Sequence, residues 1–378
     1  MNPVLPVPQR WDIFCTVVDN FGDIGVCWRL ARQLAAEYGL DVRLWVDDLF
    51  SFSRIQPEID PALNQQVCAG VIVRHWLEPF TPVEPCDVVI EAFGCSLPAA
   101  FLEAMRATRP VWINLEYLSA EEWVEGCHGL PSPQLGLEKY FFFPGFTVGT
   151  GGVLGEAAMR AARGRWSAQD RAELLGRHAS VDSAAQVISL FGYENPALTG
   201  LVSQWAAGAQ PLHVLLPEGR LLPQMRAALA APELAAGLTV RRGSLALTCL
   251  SMLSQDDYDR LLWSCDLNFV RGEDSFVRSQ WAALPFVWHI YPQDEDAHHV
   301  KLEAFMDRYC QGLSADAAQA LRVFWREWNW GEGAGLAWPA FSAALPALLD
   351  HARVWASRLA VNGDLAANLV KFVSGKVK

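Results

Sequence analysis

Short apolar runs alternate along the chain with stretches whose apolar positions recur every three or four residues. Residues 12–18 (DIFCTVV) predict a buried strand. Residues 25–38, with Val26, Leu30 and Leu34 on one face, predict the helix that follows. Further strands are expected at 41–46, 70–76, 87–93 and 111–115. The Gly-rich residues 141–155 (FFFPGFTVGTGGVLG) break the pattern, and the charged residues 160–177 predict helix. The alternation then restarts, with strands at 186–190, 212–216, 238–242, 266–270 and 285–290 and helices at 219–229 and 255–263. Strand, helix, strand in succession implies right-handed crossovers and parallel sheets. The simplest architecture is two successive α/β halves, residues 1–180 and 181–358. The apolar face within 359–373 is expected to pack a C-terminal helix, about 359–378, back on the first half. In open α/β sheets ligands gather at the carboxyl ends of strands, near topological switch points, so strand ends are where chemistry is expected.

Composition narrows the class. At 378 residues and 52% hydrophobic, the chain has material for sizeable cores, and disorder as a whole-chain description is excluded. A net charge of −12 argues against a nucleic-acid binder, which needs basic surface, and suits a basic protein partner. The opening Met1-Asn2-Pro3-Val4-Leu5-Pro6 lacks a basic region and an unbroken apolar run, so no signal peptide is expected. No apolar run is long enough to predict a membrane span. The nine cysteines are scattered, never as C-x-x-C, which predicts neither a disulfide framework nor a zinc cluster. The expectation is a soluble cytoplasmic protein. Sixteen tryptophans are many; Trp28, Trp112 and Trp281 fit packing, whereas Trp325, Trp328 and Trp330 cluster without an evident reason.

Two strand ends carry candidate chemistry. The first runs Asp19-Asn20-Phe21-Gly22-Asp23 directly into a helix. Asp23 there serves as a helix cap, or the two carboxylates serve a ligand that is cationic or loses a proton, since acids at a helix start oppose a phosphate. The second, Arg271-Gly272-Glu273-Asp274-Ser275, again precedes a helix. Arg271, the Ser275 hydroxyl and free backbone N–H groups there suit a phosphate. Phe191-Gly192-Tyr193 and Tyr291 stand at further strand ends, where aromatic rings could stack on a base. Gly149-Thr150-Gly151-Gly152-Val153-Leu154 fails as G-x-G-x-x-G at its last position. His298 and His299 are adjacent, so on a helix they should diverge rather than chelate, as surface or capping residues.

Three blocks, WDIFCTVVDNFGDIGVCWRLARQLA, INLEYLSAEEW and RGEDSFVRSQWA with PFVWHIYPQDEDAHHVKLEAF, together resemble the EarP family of protein-arginine rhamnosyltransferases, which modify translation elongation factor P in some bacteria. The resemblance implies an α/β GT-B glycosyltransferase with two Rossmann-like domains facing across a cleft. The N-terminal domain would take the acceptor and the C-terminal domain the donor. It implies inverting transfer of L-rhamnose from dTDP-β-L-rhamnose to the guanidine nitrogen of one arginine of elongation factor P, without metal or other cofactor. Carried over by position, Asp23 would be the principal catalytic carboxylate, Asp19 its support and Glu273 a second acid. Arg271, Asp274 and Ser275 would lie near the donor diphosphate, and Tyr193, Gln255 and Tyr291 in the donor pocket. Tyr258 stands where other members may carry a phenylalanine against thymine, and Asn20, Phe21 and Gly22 in the first turn would also meet the donor. Asn114, Glu116, Tyr117 and Ser119 would face the acceptor arginine. Two other readings stay open: a GT-B transferase with another nucleotide sugar or a small-molecule acceptor, and a nucleotide-sugar-binding protein without turnover.

Overall fold

The computed structural model describes residues 8–18 and 21–376, in two units. The first holds the chain up to Ala158 and again from Leu359; the second holds Met159–Arg358.

In the first unit β1 (Arg10–Cys15), α1 (Gly22–Tyr38), β2 (Asp41–Val46), α2 (Leu49–Ile55), β3 (Gln65–Cys68), β4 (Val71–His75), β5 (Val88–Ala92), α3 (Ala99–Thr108), β6 (Val111–Leu115), α4 (Trp123–Cys127), β7 (Pro131–Gln134) and β8 (Leu137–Phe142) follow in order. The sheet order is β3-β4-β2-β1-β5-β6-β8-β7, parallel except for the antiparallel pairs at its two edges. Its parallel part is the doubly wound order, with the switch point between β1 and β5. β1 stops short of Val18 because side chains take over from the ladder: Val17 N–H donates to Asp47 (2.9 Å) and Val18 N–H to Asp23 (2.9 Å).

The second unit runs through α5 (Ala157–Arg165), α6 (Ala168–His178), β9 (Gln186–Leu190), α7 (Leu198–Ala207), β10 (Leu212–Pro217), α8 (Leu222–Ala228), β11 (Thr239–Arg242), β12 (Leu245–Leu250), α9 (Gln255–Ser264), β13 (Leu267–Arg271), α10 (Asp274–Ala282), β14 (Phe286–His289), α11 (Ala297–Tyr309), α12 (Ala315–Asn329) and α13 (Ala334–Val361). Its sheet, β11-β12-β10-β9-β13-β14, is again doubly wound, with the switch point between β9 and β13. Periodicity does not predict β12, because LALTCL is leucine-rich and Thr248 is its one β-branched residue.

The division between units falls in the first turn of α5, at 158/159, where 180/181 was expected. The two helices α5 and α6 bind second-unit residues: Arg163 donates to the Ala282 carbonyl (2.8 Å), Trp166 to Ser264 (3.2 Å), and Arg171 pairs with Asp266 (2.9 Å). The C-terminal segment from Leu359 lies in the first unit and carries α14 (Leu365–Ser374). The Gly-rich break is the seat of that segment. Asn362 donates to the Phe146 carbonyl (2.8 Å) and Asn368 to that of Gly151 (3.1 Å). A Cβ on Gly152, at φ +77°, would come within 2.8 Å of the Asn368 amide and of the Gly363 carbonyl.

Trp325 and Trp328 on α12 are fully buried against the second sheet, with Trp328 4.9 Å from Phe269 and Trp325 5.4 Å from Phe286, ring centre to ring centre. Trp28, Trp112 and Trp281 are also buried. None of the nine cysteines is in a disulfide. Among the described residues no helix is long and apolar enough to cross a membrane.

Candidate active site

In the first unit the functional side chains converge at the carboxyl ends of β1, β5 and β6, at the switch point. Asp23 lies in the first turn of α1, yet it is not the cap: the N-cap is Phe21, whose side chain makes no capping bond. The Asp23 carboxylate turns back instead, one oxygen accepting the Val18 N–H at 2.9 Å and the other the Tyr117 hydroxyl at 3.1 Å. It is 2% exposed. Tyr117 comes from the loop after β6, in the second of the three sequence blocks, and its ring stacks on Phe93 at the end of β5 (4.4 Å, 16° between planes).

Beside this pair Asn114, in β6, donates through its amide to Glu116. The Asn114 Oδ1 is buried with no partner among the described residues, an acceptor left waiting for a donor. Ser119 is turned elsewhere: its hydroxyl donates to the Glu121 carboxylate (3.0 Å) and accepts the Glu121 N–H (3.1 Å). Phe21 and Gly22 form the start of α1. Asp19 and Asn20 lie outside the described residues.

In the second unit the ends of β9, β13 and β14 and the start of α9 bring Tyr193, Gln255, Tyr258, Arg271, Glu273, Asp274, Ser275 and Tyr291 to one edge of the sheet. Arg271 is the centre. Its guanidinium carbon sits 4.3 Å from the Phe191 ring centre and 4.8 Å from that of Tyr193, and it donates to the Gly192 carbonyl (3.2 Å). The two rings hold the planar cation at the carboxyl end of β13, beside the start of α10. Ser275 ties the turn: its hydroxyl accepts the Arg271 N–H (2.9 Å) and donates to the Arg271 carbonyl (2.6 Å). What the turn presents to an anion at the start of α10 is therefore backbone N–H and Arg271 rather than that hydroxyl. Glu273 occupies the N-cap position without a side-chain capping bond. Gln255 donates to Asp274 (3.0 Å), joining the starts of α9 and α10. Tyr258 is almost buried beside Phe191 (5.6 Å), and burial drives its hydroxyl's pKa up. Tyr291 is 5.6 Å from Tyr193, edge to face.

Phe191, a strand-end aromatic in the sequence, packs against Arg271, and His289, beneath Tyr193, joins the site without having been expected there. His289 accepts the Tyr193 N–H (3.3 Å); burial first, and then the charge of Arg271, press its pKa down to about 3, so the ring is neutral. The signal for Phe191 lay in the sequence as a Phe-Gly pair directly after a strand.

His298 and His299 do not diverge as expected. Glu295 and Asp296 are left-handed (φ 54° and 57°), and Asp296, His298 and His299 bring ligand-type atoms within 4.8 Å of one another. The set nonetheless fits a metal poorly. His298 Nδ1 accepts the Gln293 N–H (3.1 Å), so its own proton stays on Nε2 and the ring has no lone pair to spare. Burial, reinforced by His299, lowers the His298 pKa. His298 instead ties the chain before α11 through Gln293, and His299 packs on Trp330 (4.0 Å).

Two doubly wound α/β units in one chain give the fold of the GT-B class. The fold is shared with Acinetobacter baumannii MurG (TM-score 0.51, 12% identity, covering 98% of this chain and 100% of that one). It is also shared with the glycotransferase of kitacinnamycin (TM-score 0.54, 12% identity, 99% and 100% covered). Within that class the chain belongs to the EarP family: the model for the elongation factor P (EF-P) rhamnosyltransferase EarP matches residues 11–374. Its relatives include the protein-arginine rhamnosyltransferases of Pseudomonas putida (55% identity, 96% of this chain and 98% of that one) and Shewanella oneidensis (47%, 97% and 98%). A solved structure that gives the basis for EarP-mediated arginine glycosylation of EF-P is 40% identical, with TM-score 0.70 over 97% of this chain and 99% of that one. The chain is therefore an enzyme, a glycosyltransferase of the protein-arginine rhamnosyltransferase family.

Proposed function

We propose that this enzyme transfers L-rhamnose from dTDP-β-L-rhamnose to a guanidine nitrogen of one arginine of elongation factor P, with inversion at the anomeric carbon and without a metal ion. The observation that carries the reading is the buried Asp23 carboxylate, held by Val18 N–H and the Tyr117 hydroxyl. A guanidinium has a pKa above about 12 and is a poor nucleophile until a carboxylate orients it and receives its proton. The first unit supplies that carboxylate, and beside it the unpaired Asn114 Oδ1 and Glu116, acceptors for the several N–H donors of an arginine. Asp19, by family position, supports Asp23.

The second unit takes the donor. Arg271 and the backbone N–H groups at the start of α10 stabilise the diphosphate as it leaves, supplying the positive charge that a metal ion would otherwise bring. Tyr193, Tyr258 and Tyr291 give the aromatic surface for the base and sugar, with Gln255 and Asp274 beside them. Glu273 orients the sugar or its diphosphate. Attack by the deprotonated nitrogen on the face opposite the diphosphate inverts the centre; the C–O bond to the diphosphate breaks as the C–N bond forms, and Asp23 carries the proton away. The reaction belongs in the cytoplasm, where nine free cysteines persist as thiols.

The test is to incubate the enzyme with dTDP-rhamnose and elongation factor P and to weigh the factor intact, with and without EDTA. A gain of one deoxyhexose in both samples is expected. No gain while the donor stays intact would refute the acceptor and the donor together, and a gain abolished by EDTA would refute the metal-free step.

A further inference from the structure

Phe93 lies directly after β5 in a tight turn closed by the Cys95 N–H on the Ala92 carbonyl (3.1 Å). Both central residues have positive φ, 58° at Phe93 and 68° at Gly94, as in a type I′ turn. Glycine adopts that conformation freely, whereas a bulky side chain is strained in it. The strain is stored at the switch point of the first sheet, and such outliers persist where the surroundings fix them for a purpose. The surroundings here are specific: the Phe93 N–H donates to the Leu115 carbonyl at the end of β6 (2.7 Å), and the ring lies flat on Tyr117, whose hydroxyl binds Asp23.

We infer that Phe93 is a positioning residue for transfer: its ring fixes Tyr117 so that the hydroxyl holds the Asp23 carboxylate in the orientation that receives the acceptor's proton. Tyr117 hangs from a loop, and one rotatable side chain there has several ways to point. A parallel ring at 4.4 Å removes most of them. Glycine would relieve the backbone at position 93, so a phenylalanine there is explained by its ring and not by the turn.

The inference rests on Asp23 being the base, and the experiment separates the two. Phe93→Gly, Tyr117→Phe, the double variant, Phe93→Tyr and Asp23→Asn are compared by kcat and KM for rhamnosylation of elongation factor P, and by thermal midpoint. Phe93→Gly is expected to match or exceed the parent in stability, because it relaxes a positive φ. Its kcat should nonetheless fall roughly tenfold, the scale of a weakened hydrogen bond to a charged group, with KM for the donor unchanged. Tyr117→Phe should fall as far, and the double variant no further, because both changes remove one interaction. Phe93→Tyr, which keeps the ring, should restore the rate. Additive losses in the double variant, or full activity in Phe93→Gly, would overturn the inference. Full activity in Asp23→Asn would instead remove the reading on which it rests.

Discussion

Arg271 and Asp23 show how much a residue's environment adds to its identity. Both stand at strand ends in the sequence, and both positions were legible there. What the residues do depends on partners far along the chain. The turn around Asp23 suggested a cap as readily as a base; the Val18 N–H and Tyr117, brought over from the end of β6, turn the carboxylate away from capping. Phe93 was not legible, since a phenylalanine after an apolar strand looks like core until its backbone angle is known. The Phe-Gly pair nonetheless recurs at 21–22, 93–94 and 191–192, at the start of α1 and directly after β5 and β9. Arg271 carries a prediction at this scale. Lysine keeps the charge but loses the planar group stacked on Phe191 and Tyr193, so Arg271→Lys should weaken dTDP binding about tenfold or more in calorimetric titration. Unchanged affinity would show that the stack is not what holds the cation in place for the diphosphate.

Helices and strands were legible where their periodicity is clean, as at β6 and β9, whose predicted and observed limits coincide. They were obscured where composition misleads: β12 is leucine-rich, β7 contains two prolines, and α13 runs through Pro339 and Pro346. Of the tryptophan cluster, without a reason in the sequence, Trp325 and Trp328 are the face of α12 that covers β13 and β14, and Trp330 packs on His299. Buried polar groups on α9, α10 and β14 also govern stability. Arg278 on α10 and Asp259 on α9 form a two-pronged pair (2.7 and 3.1 Å) that is almost wholly buried. Arg278→Met should cost about 3–5 kcal/mol in urea denaturation by stranding Asp259, and adding Asp259→Leu should recover much of it. His289, after burial and Arg271 have lowered its pKa to about 3 from 6.5, refuses a proton that the unfolded chain accepts. Its contribution to stability is therefore complete above pH 6.5 and declines as the pH falls toward about 3, reaching a loss of about 2 kcal/mol near pH 5. His289→Gln should flatten that part of the stability profile; an unchanged slope would assign the acid sensitivity to other groups.

Across the whole molecule, the two-half organisation was evident from the restart of the strand pattern, and the exact division was not. α5 and α6 carry no strand of their own, and contacts such as those with Ala282, Ser264 and Asp266 assign them to the second unit. The return of the C-terminal segment was legible from its apolar face, whereas its seat, the glycine-rich stretch at 145–152, looked like a failed nucleotide loop. A chain ending at Val361 loses the buried Leu365, Leu369 and Val373, each contributing roughly 1.5–3 kcal/mol. Hydrogen exchange should then accelerate in α1 and the strands of the first sheet and stay unchanged in β9–β14. Unchanged exchange in both sheets would contradict the integration of α14 into the first unit.

The central claim is that Asp23 takes the proton from the acceptor arginine. Its most direct measurement is the single-turnover rate of rhamnosylation of elongation factor P by Asp23→Asn beside the parent enzyme, at saturating donor and with dTDP affinity measured on both. The account predicts a rate lowered by a factor of about 100 or more with dTDP affinity unchanged. An undiminished rate, or a lowered rate fully explained by lost dTDP binding, would contradict it.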